Sequence, residues 1–195
     1  MFGLMQDAPL TTNSILDRGG RYFADKAVVT NTKTGLQRRT FSDVRDDAGR
    51  VAATLDALNV TADGRVATFA WNTARHLSLY FGIPGTGRIM HTANIRYFPD
   101  QLVYTINHAE DEAIFVDRSL VPLLAKNLAE LDTVRHVIVM DDGTETELSD
   151  DPRILHWDEV VASTEPADLT GRVDDERRAA AICYTTGTTG NPKGA

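Results

Sequence analysis

Short runs of apolar and β-branched residues recur through the middle of the chain and predict buried strands. Four such runs begin at residues 65, 88, 113 and 135, so their starts lie 23, 25 and 22 residues apart. The segments between them carry apolar residues at helical spacing, for example Phe98, Leu102 and Ile106, with Pro99 at a first helical turn. Strand and helix alternating at this spacing predict βαβ units with right-handed crossovers. The predicted strands cover residues 65–70, 88–92, 113–117 and 135–140.

The residues before this region predict a hairpin followed by a helix. Residues 27–31 and 37–41 flank a short turn and predict a β-hairpin. Ser42 is a candidate N-cap for a helix that runs to about residue 58. One face of that helix is apolar and carries Val44, Ala48, Val51, Ala52 and Leu55. The fold class that these patterns predict is α/β, with a parallel-rich sheet flanked by helices. A leucine-rich repeat has a similar period, but its L-x-x-L-x-L core is missing.

The last apolar run, residues 179–184, has the length of a strand and leads into a loop rich in glycine and threonine, residues 185–194. Glycines permit positive φ angles and let the backbone approach a ligand closely, and threonines add hydroxyl donors. Lys193 adds a mobile positive charge. These properties suit a polyphosphate. A Walker A loop is disfavoured, because Pro192 and Gly194 stand where that motif needs glycine and a hydroxyl residue.

The composition of the chain argues against several classes of function. The 195 residues carry 20 Lys and Arg against 28 Asp and Glu, a formal net charge of −8, which argues against a general nucleic-acid binder. The single cysteine, Cys183, excludes an internal disulfide framework, and we expect it to be a small buried hydrophobe in the final strand. We interpret His91 and His108 as hydrogen-bonded histidines near turns. With no stretch of about 18 apolar residues, the expected location is the cytoplasm.

The loop and several upstream segments resemble a known family. Tyr-Thr-Thr-Gly-Thr-Thr-Gly-Asn-Pro-Lys-Gly at 184–194 resembles the phosphate-loop signature of the acyl-adenylate-forming (AMP-binding) superfamily. That superfamily includes acyl-CoA synthetases, peptide-synthetase adenylation domains and luciferases. Residues 70–82, 90–99 and 107–111 are similar to its medium- and long-chain fatty acyl-CoA synthetase branch. The resemblance extends from about residue 10 to residue 195.

The resemblance implies a domain organisation. Residues 1–178 would be the N-terminal α/β subdomain of an AMP-binding domain, and residues 179–195 the strand and phosphate loop that open a second, truncated subdomain. Members of the family continue beyond this loop. The continuation would supply the adenine pocket, the acidic Mg²⁺ ligand, the ribose-binding aspartate, the hinge and the catalytic lysine of the lid. No residue of this chain is therefore assigned a catalytic role.

The resemblance also implies an activity, that of a fatty acid–CoA ligase. ATP would activate a fatty acid to acyl-AMP, and CoA would then take the acyl group, so the implied cofactors are ATP, Mg²⁺ and coenzyme A. The loop would wrap the β- and γ-phosphates, Lys193 would supply a point charge, and Thr185 would supply a hydroxyl on the Mg²⁺ side. The implied cofactor-binding residues are Thr185, Thr186, Gly187, Thr188, Thr189, Gly190 and Lys193.

Two other functions stay open on the sequence alone. An adenylation enzyme for another carboxylic acid, such as an aryl acid, would carry the same loop. A non-catalytic binding or dimerisation fragment is the second alternative. The expected partners are a fatty acid, ATP and CoA, with no nucleic acid and no transmembrane segment, and a homodimer could form through the N-terminal region. We expect the 195-residue chain alone to be inactive and residues 187–195 to be mobile without nucleotide, because nothing after Ala195 tethers the loop.

Overall fold

The architecture comes from a computed structural model that describes residues 3–5, 7–185 and 190–195. Within these residues, the helices are α1 (Thr12–Tyr22), α2 (Phe41–Ala57), α3 (Ala74–Gly82), α4 (Pro99–Ala109), α5 (Val121–Ala125) and α6 (Trp157–Val160). The strands there are β1 (Ala27–Thr32), β2 (Gly35–Thr40), β3 (Arg65–Phe69), β4 (Ile89–Thr92), β5 (Asp111–Asp117), β6 (His136–Met140), β7 (Ile154–His156), β8 (Ala181–Ile182), β9 (Tyr184–Thr185) and β10 (Lys193–Gly194). None of the helices in these ranges is long and apolar enough to cross a membrane.

A parallel sheet organises the fold and confirms the predicted α/β class. Its strands lie in the order β7-β6-β5-β3-β4-β8, and each neighbouring pair is parallel. The four strands predicted from the apolar runs are β3 to β6, with ends that shift by two residues or fewer. β8 brings the C-terminal segment to one edge of the sheet, beside β4. The predicted start of a second subdomain at residue 179 stays a prediction.

Both faces of the sheet are covered, which explains why its central strands are apolar runs instead of alternating patterns. On one face, α4 and α5 pack through Leu102, Ile106 and Leu124. On the other face, α2, α3 and α6 pack through residues that include Leu55 and Leu79. The sheet therefore forms the middle layer of three, and the apolar face predicted for α2 is buried throughout.

The hairpin of β1 and β2 feeds directly into α2, and this join corrects one prediction. The helix begins at Phe41, and its N-cap is Thr40 instead of Ser42. The Thr40 side chain accepts a hydrogen bond from the Asp43 N–H at 3.1 Å, and the Asp43 carboxylate accepts one from the Thr40 N–H at 2.8 Å. This reciprocal capping box begins the helix where β2 ends. Ser42 lies inside the first turn.

Helices α2 and α3 cross closely enough to need a glycine. A Cβ atom built on Gly82, the last residue of α3, would lie 2.8 Å from the Ala48 carbonyl oxygen and 2.9 Å from the Val51 Cβ. Backbone and a β-branched stem give way less readily than the end of a flexible side chain. Gly19 in α1 is the opposite case, because a Cβ there would meet no heavy atom within 4 Å outside its own helix.

This contrast gives a stability prediction. Gly82→Ala should lower the free energy of unfolding by about 1–3 kcal/mol, because the added methyl overpacks the crossing. Gly19→Ala is the matched control and should raise it by about 0.5–1 kcal/mol, because alanine loses less backbone entropy in a helix. Urea unfolding of both variants measures the difference. A Gly82→Ala protein as stable as the wild type would contradict the close crossing.

The carboxyl ends of β3 and β5 are joined by a buried carboxylate. Asp117 ends β5 with 2% of its surface exposed, and its Oδ2 accepts a hydrogen bond from the Trp71 N–H at 2.6 Å. Burial raises the pKa of Asp117 to about 6; the Trp71 N–H opposes this shift, the Asp142 charge adds to it, and Arg75 opposes it. The folded protein therefore holds the Asp117 proton more tightly than the unfolded chain does.

This shift fixes the sign of a pH effect. Because the pKa of Asp117 lies above its ordinary value of 3.8, the ionised side chain destabilises the fold at neutral pH, and the penalty is relieved as the pH falls through 6. Relative to Asp117→Asn, the wild type should gain about 1–1.5 kcal/mol of unfolding free energy between pH 7.5 and pH 5. Urea unfolding at the two pH values provides the test. Parallel pH profiles for the two proteins would refute the shift.

Candidate functional site

The glycine- and threonine-rich loop leaves the edge of the sheet as a hairpin. After β8 and Cys183, β9 leads into the loop and β10 returns from it, with Thr185 opposite Lys193 and Tyr184 opposite Gly194. Cys183 and Ala195 extend the pairing through two backbone hydrogen bonds of 3.0 Å, each N–H donating to the other residue's carbonyl. The strand that precedes the loop therefore pairs with the residues that follow it. The expected mobility of residues 187–195 without nucleotide stays a prediction.

The hairpin brings together the predicted site residues that the structure describes. Thr185 and Lys193 are directly opposite and both exposed, so a hydroxyl and an ammonium group leave the same stretch of hairpin. Directly opposite residues have Cβ atoms about 4.5–5.5 Å apart. Gly190 has φ 93°, a left-handed conformation that favours glycine. Thr186, Gly187, Thr188 and Thr189 lie outside the described residues.

Tyr184, at the entrance to the loop, is buried against α4. The Tyr97 hydroxyl, just before that helix, donates a hydrogen bond to the Tyr184 carbonyl oxygen at 3.0 Å. His108 Nδ1, near the end of the helix, lies 2.7 Å from the Tyr184 hydroxyl. Burial raises the pKa of Tyr184, and the nearby Asp111 carboxylate raises it further. The sequence offered no signal for these contacts, because they join residues 76 and 87 positions apart.

Behind Tyr184 lies a buried polar pair. His91 of β4 and Asp111 at the start of β5 are both 0% exposed, and His91 Nδ1 lies 2.6 Å from Asp111 Oδ2. Burial raises the pKa of Asp111, while the hydrogen bond and charge of His91 lower it. Within the described residues, His91 Nε2 and Asp111 Oδ1 have no hydrogen-bond partner. The predicted hydrogen bonding of His91 and His108 is confirmed, although His91 lies inside the sheet instead of near a turn.

Cys183 departs from expectation. It is exposed, and it interrupts the predicted final strand between β8 and β9. β8 is the outermost strand of the six, so neighbours surround this segment less completely than they surround the central strands. The Cys183 Sγ lies 3.5 Å from the Thr92 hydroxyl. The apolar residues 179–184 predicted one strand, whereas the structure has two short ones, β8 and β9. Burial depends on position in the sheet, which the local pattern does not reveal.

A family model for AMP-binding enzymes matches residues 16–195. The chain belongs to this family. The resemblance inferred from the loop residues is therefore confirmed. Relatives that resemble this chain are named as CoA ligases.

Several curated relatives align along nearly the whole chain. The 3-methylmercaptopropionyl-CoA ligase of Ruegeria lacuscaerulensis is 37% identical over the full chain, which covers 36% of that protein. The long-chain-fatty-acid–CoA ligase of Thermus thermophilus is 40% identical over 97% of the chain and 34% of its own length. The medium-chain-fatty-acid–CoA ligase of Ectopseudomonas oleovorans is 32% identical over the full chain and 36% of its length. The chain thus spans about a third of these relatives.

A solved structure confirms the fold. An anthranilate CoA ligase in complex with anthranoyl-AMP matches 97% of the chain and 35% of its own chain, with a TM-score of 0.77 and 21% sequence identity. Because the sequence identity is only 21%, this match supports the fold and no statement about function. It agrees with the parallel sheet and the helices on both of its faces.

Proposed function

We propose that the protein containing this chain is an ATP-dependent fatty acid–CoA ligase. A carboxylate would attack the α-phosphate of Mg·ATP to give acyl-AMP and pyrophosphate, and the CoA thiol would then displace AMP. The observation that carries this proposal is the hairpin at the sheet edge, which places Thr185 opposite Lys193 at the two ends of a glycine-rich loop. Cytoplasmic location belongs to the proposal as well.

The described loop residues fit a polyphosphate by their chemistry. The leaving pyrophosphate gains negative charge as the acyl-AMP bond forms, and donors held in advance around it stabilise that charge. The Thr185 hydroxyl and the Lys193 ammonium are such donors, and both are exposed to a ligand. The left-handed backbone at Gly190 permits the tight curvature that directs N–H groups toward an anion.

Mg²⁺ fits this chain less completely than ATP does. Among the described residues, no group of three or more His, Cys, Asp or Glu side chains is arranged to hold a metal ion. The Thr185 hydroxyl would supply one oxygen on the metal side, and a carboxylate from outside residues 1–195 would be needed beside it. When bound, Mg²⁺ would neutralise charge on the phosphates. The role of this chain would be to position those phosphates.

The proposal must also choose among candidate carboxylic acid substrates. We favour a fatty acid, because relatives that are 40% and 32% identical are named as long- and medium-chain fatty-acid–CoA ligases. A short thioether acid is the second candidate, because relatives of 37% and 38% identity are named 3-methylmercaptopropionyl-CoA ligases. A homodimer is a further part of the proposal, supported by three exposed apolar side chains near the N-terminus, Leu4, Met5 and Leu10.

The complete protein should catalyse acid-dependent exchange of pyrophosphate into ATP, because acyl-AMP formation is reversible before CoA binds. Thioester formation should require CoA. A panel of straight-chain acids, 3-methylmercaptopropionate, benzoate and amino acids decides the substrate class. The 195-residue chain alone should show no exchange. Exchange driven only by amino or aryl acids would move the protein to another branch of the family.

Lys193 should contribute to phosphate stabilisation in the complete protein. Lys193→Ala should lower kcat/KM for ATP in the exchange assay by roughly 10- to 100-fold, since a charged hydrogen bond is worth about 1.5–3 kcal/mol. Lys126→Ala is the matched control, an exposed lysine just after α5 with no ion pair among the described residues, and it should leave the rate unchanged. If both variants keep the wild-type rate, Lys193 does not bind the phosphates.

A further inference from the structure

We propose that Tyr184 is a positioning residue that holds both ends of the phosphate loop, and that Tyr97 and His108 fix Tyr184 in place. This inference rests on the proposed function, because it assigns the residues that shape the ATP site. Tyr184 precedes Thr185, the first hydroxyl residue of the loop. Its backbone and its ring are held separately, and each contact controls a different end of the loop.

The backbone contact fixes the start of the loop. The Tyr97 hydroxyl donates to the Tyr184 carbonyl oxygen at 3.0 Å, and that carbonyl belongs to the peptide that continues into Thr185. β8 and β9 are only two residues long each, so the ladder alone holds this segment weakly. The side-chain bond from Tyr97 therefore adds a constraint on the direction in which the chain enters the loop.

The side chain of Tyr184 is held by two histidines, His108 and His91. Its hydroxyl lies 2.7 Å from His108 Nδ1, and its ring centroid lies 5.0 Å from that of His91, which is itself held by Asp111. Only 9% of Tyr184 is exposed. Contacts at both the hydroxyl and the ring restrict the orientations that this tyrosine can adopt.

That orientation places the ring against the far end of the loop. A Cβ atom built on Gly194 would lie 3.0 Å from Tyr184 Cζ and 2.9 Å from Ile182 Cδ1. A side chain at position 194 would therefore require the end of Ile182 and the Tyr184 ring to shift. Gly194 directly follows Lys193, so the Tyr184 ring sets the depth at which the strand carrying the ammonium group lies.

Tyr184 therefore joins three parts of the molecule: helix α4, the start of the loop at Thr185 and its end at Lys193. Loss of any one contact should let the hydroxyl and ammonium donors drift apart. Phosphate binding needs both donors at fixed positions, because misplaced donors stabilise developing charge poorly. The expected consequence is weaker use of ATP with little change in the use of the acid.

Conservative variants separate positioning from general stability. In the complete protein, Tyr97→Phe and Tyr184→Phe each remove one hydroxyl and keep the ring, and each should raise KM for ATP by about 2- to 10-fold, the equivalent of one hydrogen bond. The acid KM should stay within about twofold, because the proposal assigns the loop donors to the phosphates of ATP and not to the acid. Tyr104→Phe is the matched control on α4, because its hydroxyl makes no hydrogen bond among the described residues.

A mutant cycle tests whether His108 acts through the Tyr184 hydroxyl. His108→Leu should raise KM for ATP in the wild-type background, and His108→Asn should restore part of it by returning a polar atom near the Nδ1 position. In the Tyr184→Phe background, His108→Leu should add less than about a twofold effect, because the hydroxyl it would contact is already gone. Additive effects of the two substitutions would overturn the assignment of His108.

Hydrogen exchange gives a readout that needs no enzymatic activity. Exchange of backbone amides in residues 183–195 should accelerate in Tyr97→Phe, Tyr184→Phe and Gly194→Ala, while the β5 and β6 amides keep wild-type protection. Where Gly194→Ala fails to fold, the two tyrosine variants carry the test. Unchanged exchange in residues 183–195 together with unchanged KM for ATP would overturn the proposal. A wild-type protein without pyrophosphate exchange for any acid would refute the proposed function alone, and the amide measurements would then decide the inference.

Discussion

The pairing of β8 with β4 is the interaction on which the candidate site depends. It consists of two residue pairs, Met90 with Ala181 and His91 with Ile182, at the outer edge of an otherwise well-paired parallel sheet. Parallel pairing is slightly less stable per residue than antiparallel pairing, and a ladder this short contributes little alone. Side chains therefore add to the attachment of the segment that carries the loop. Tyr97 and His108 supply that attachment through Tyr184.

In this arrangement the rigid scaffold and the ligand-accessible loop are different parts of the molecule. The central strands and the helices on both faces form a buried scaffold, in which Phe69, Phe115 and Ile138 are almost inaccessible to solvent. The loop residues that can reach a ligand lie at the edge, where Thr185 and Lys193 are exposed. A rigid layer that presents an exposed loop is the usual arrangement of binding sites in proteins. Here the contacts of Tyr184 with Tyr97, His108 and His91 link the buried scaffold to the exposed loop.

The sequence predicted the parts of this structure that depend on local pattern. Period and spacing located the strands at 65–70, 88–92, 113–117 and 135–140, and glycine with threonine marked the loop. The N-cap at Thr40 was missed because the capping box begins at the last residue of a strand, where the apolar pattern gives no boundary. The exposure of Cys183 and the His91–Asp111 pair depend on strand order, which a local pattern cannot provide.

The central claim is that the hairpin loop after β9 binds the phosphates of ATP. A crystal structure of the complete protein with Mg·ATP and no acid tests it most directly. The account predicts β- or γ-phosphate oxygens within hydrogen-bond distance of Thr185 Oγ1 and Lys193 Nζ, with Tyr184 still bonded to Tyr97 and His108. Phosphates bound elsewhere, for example at the carboxyl ends of β3 and β5 beside Asp117, would contradict it.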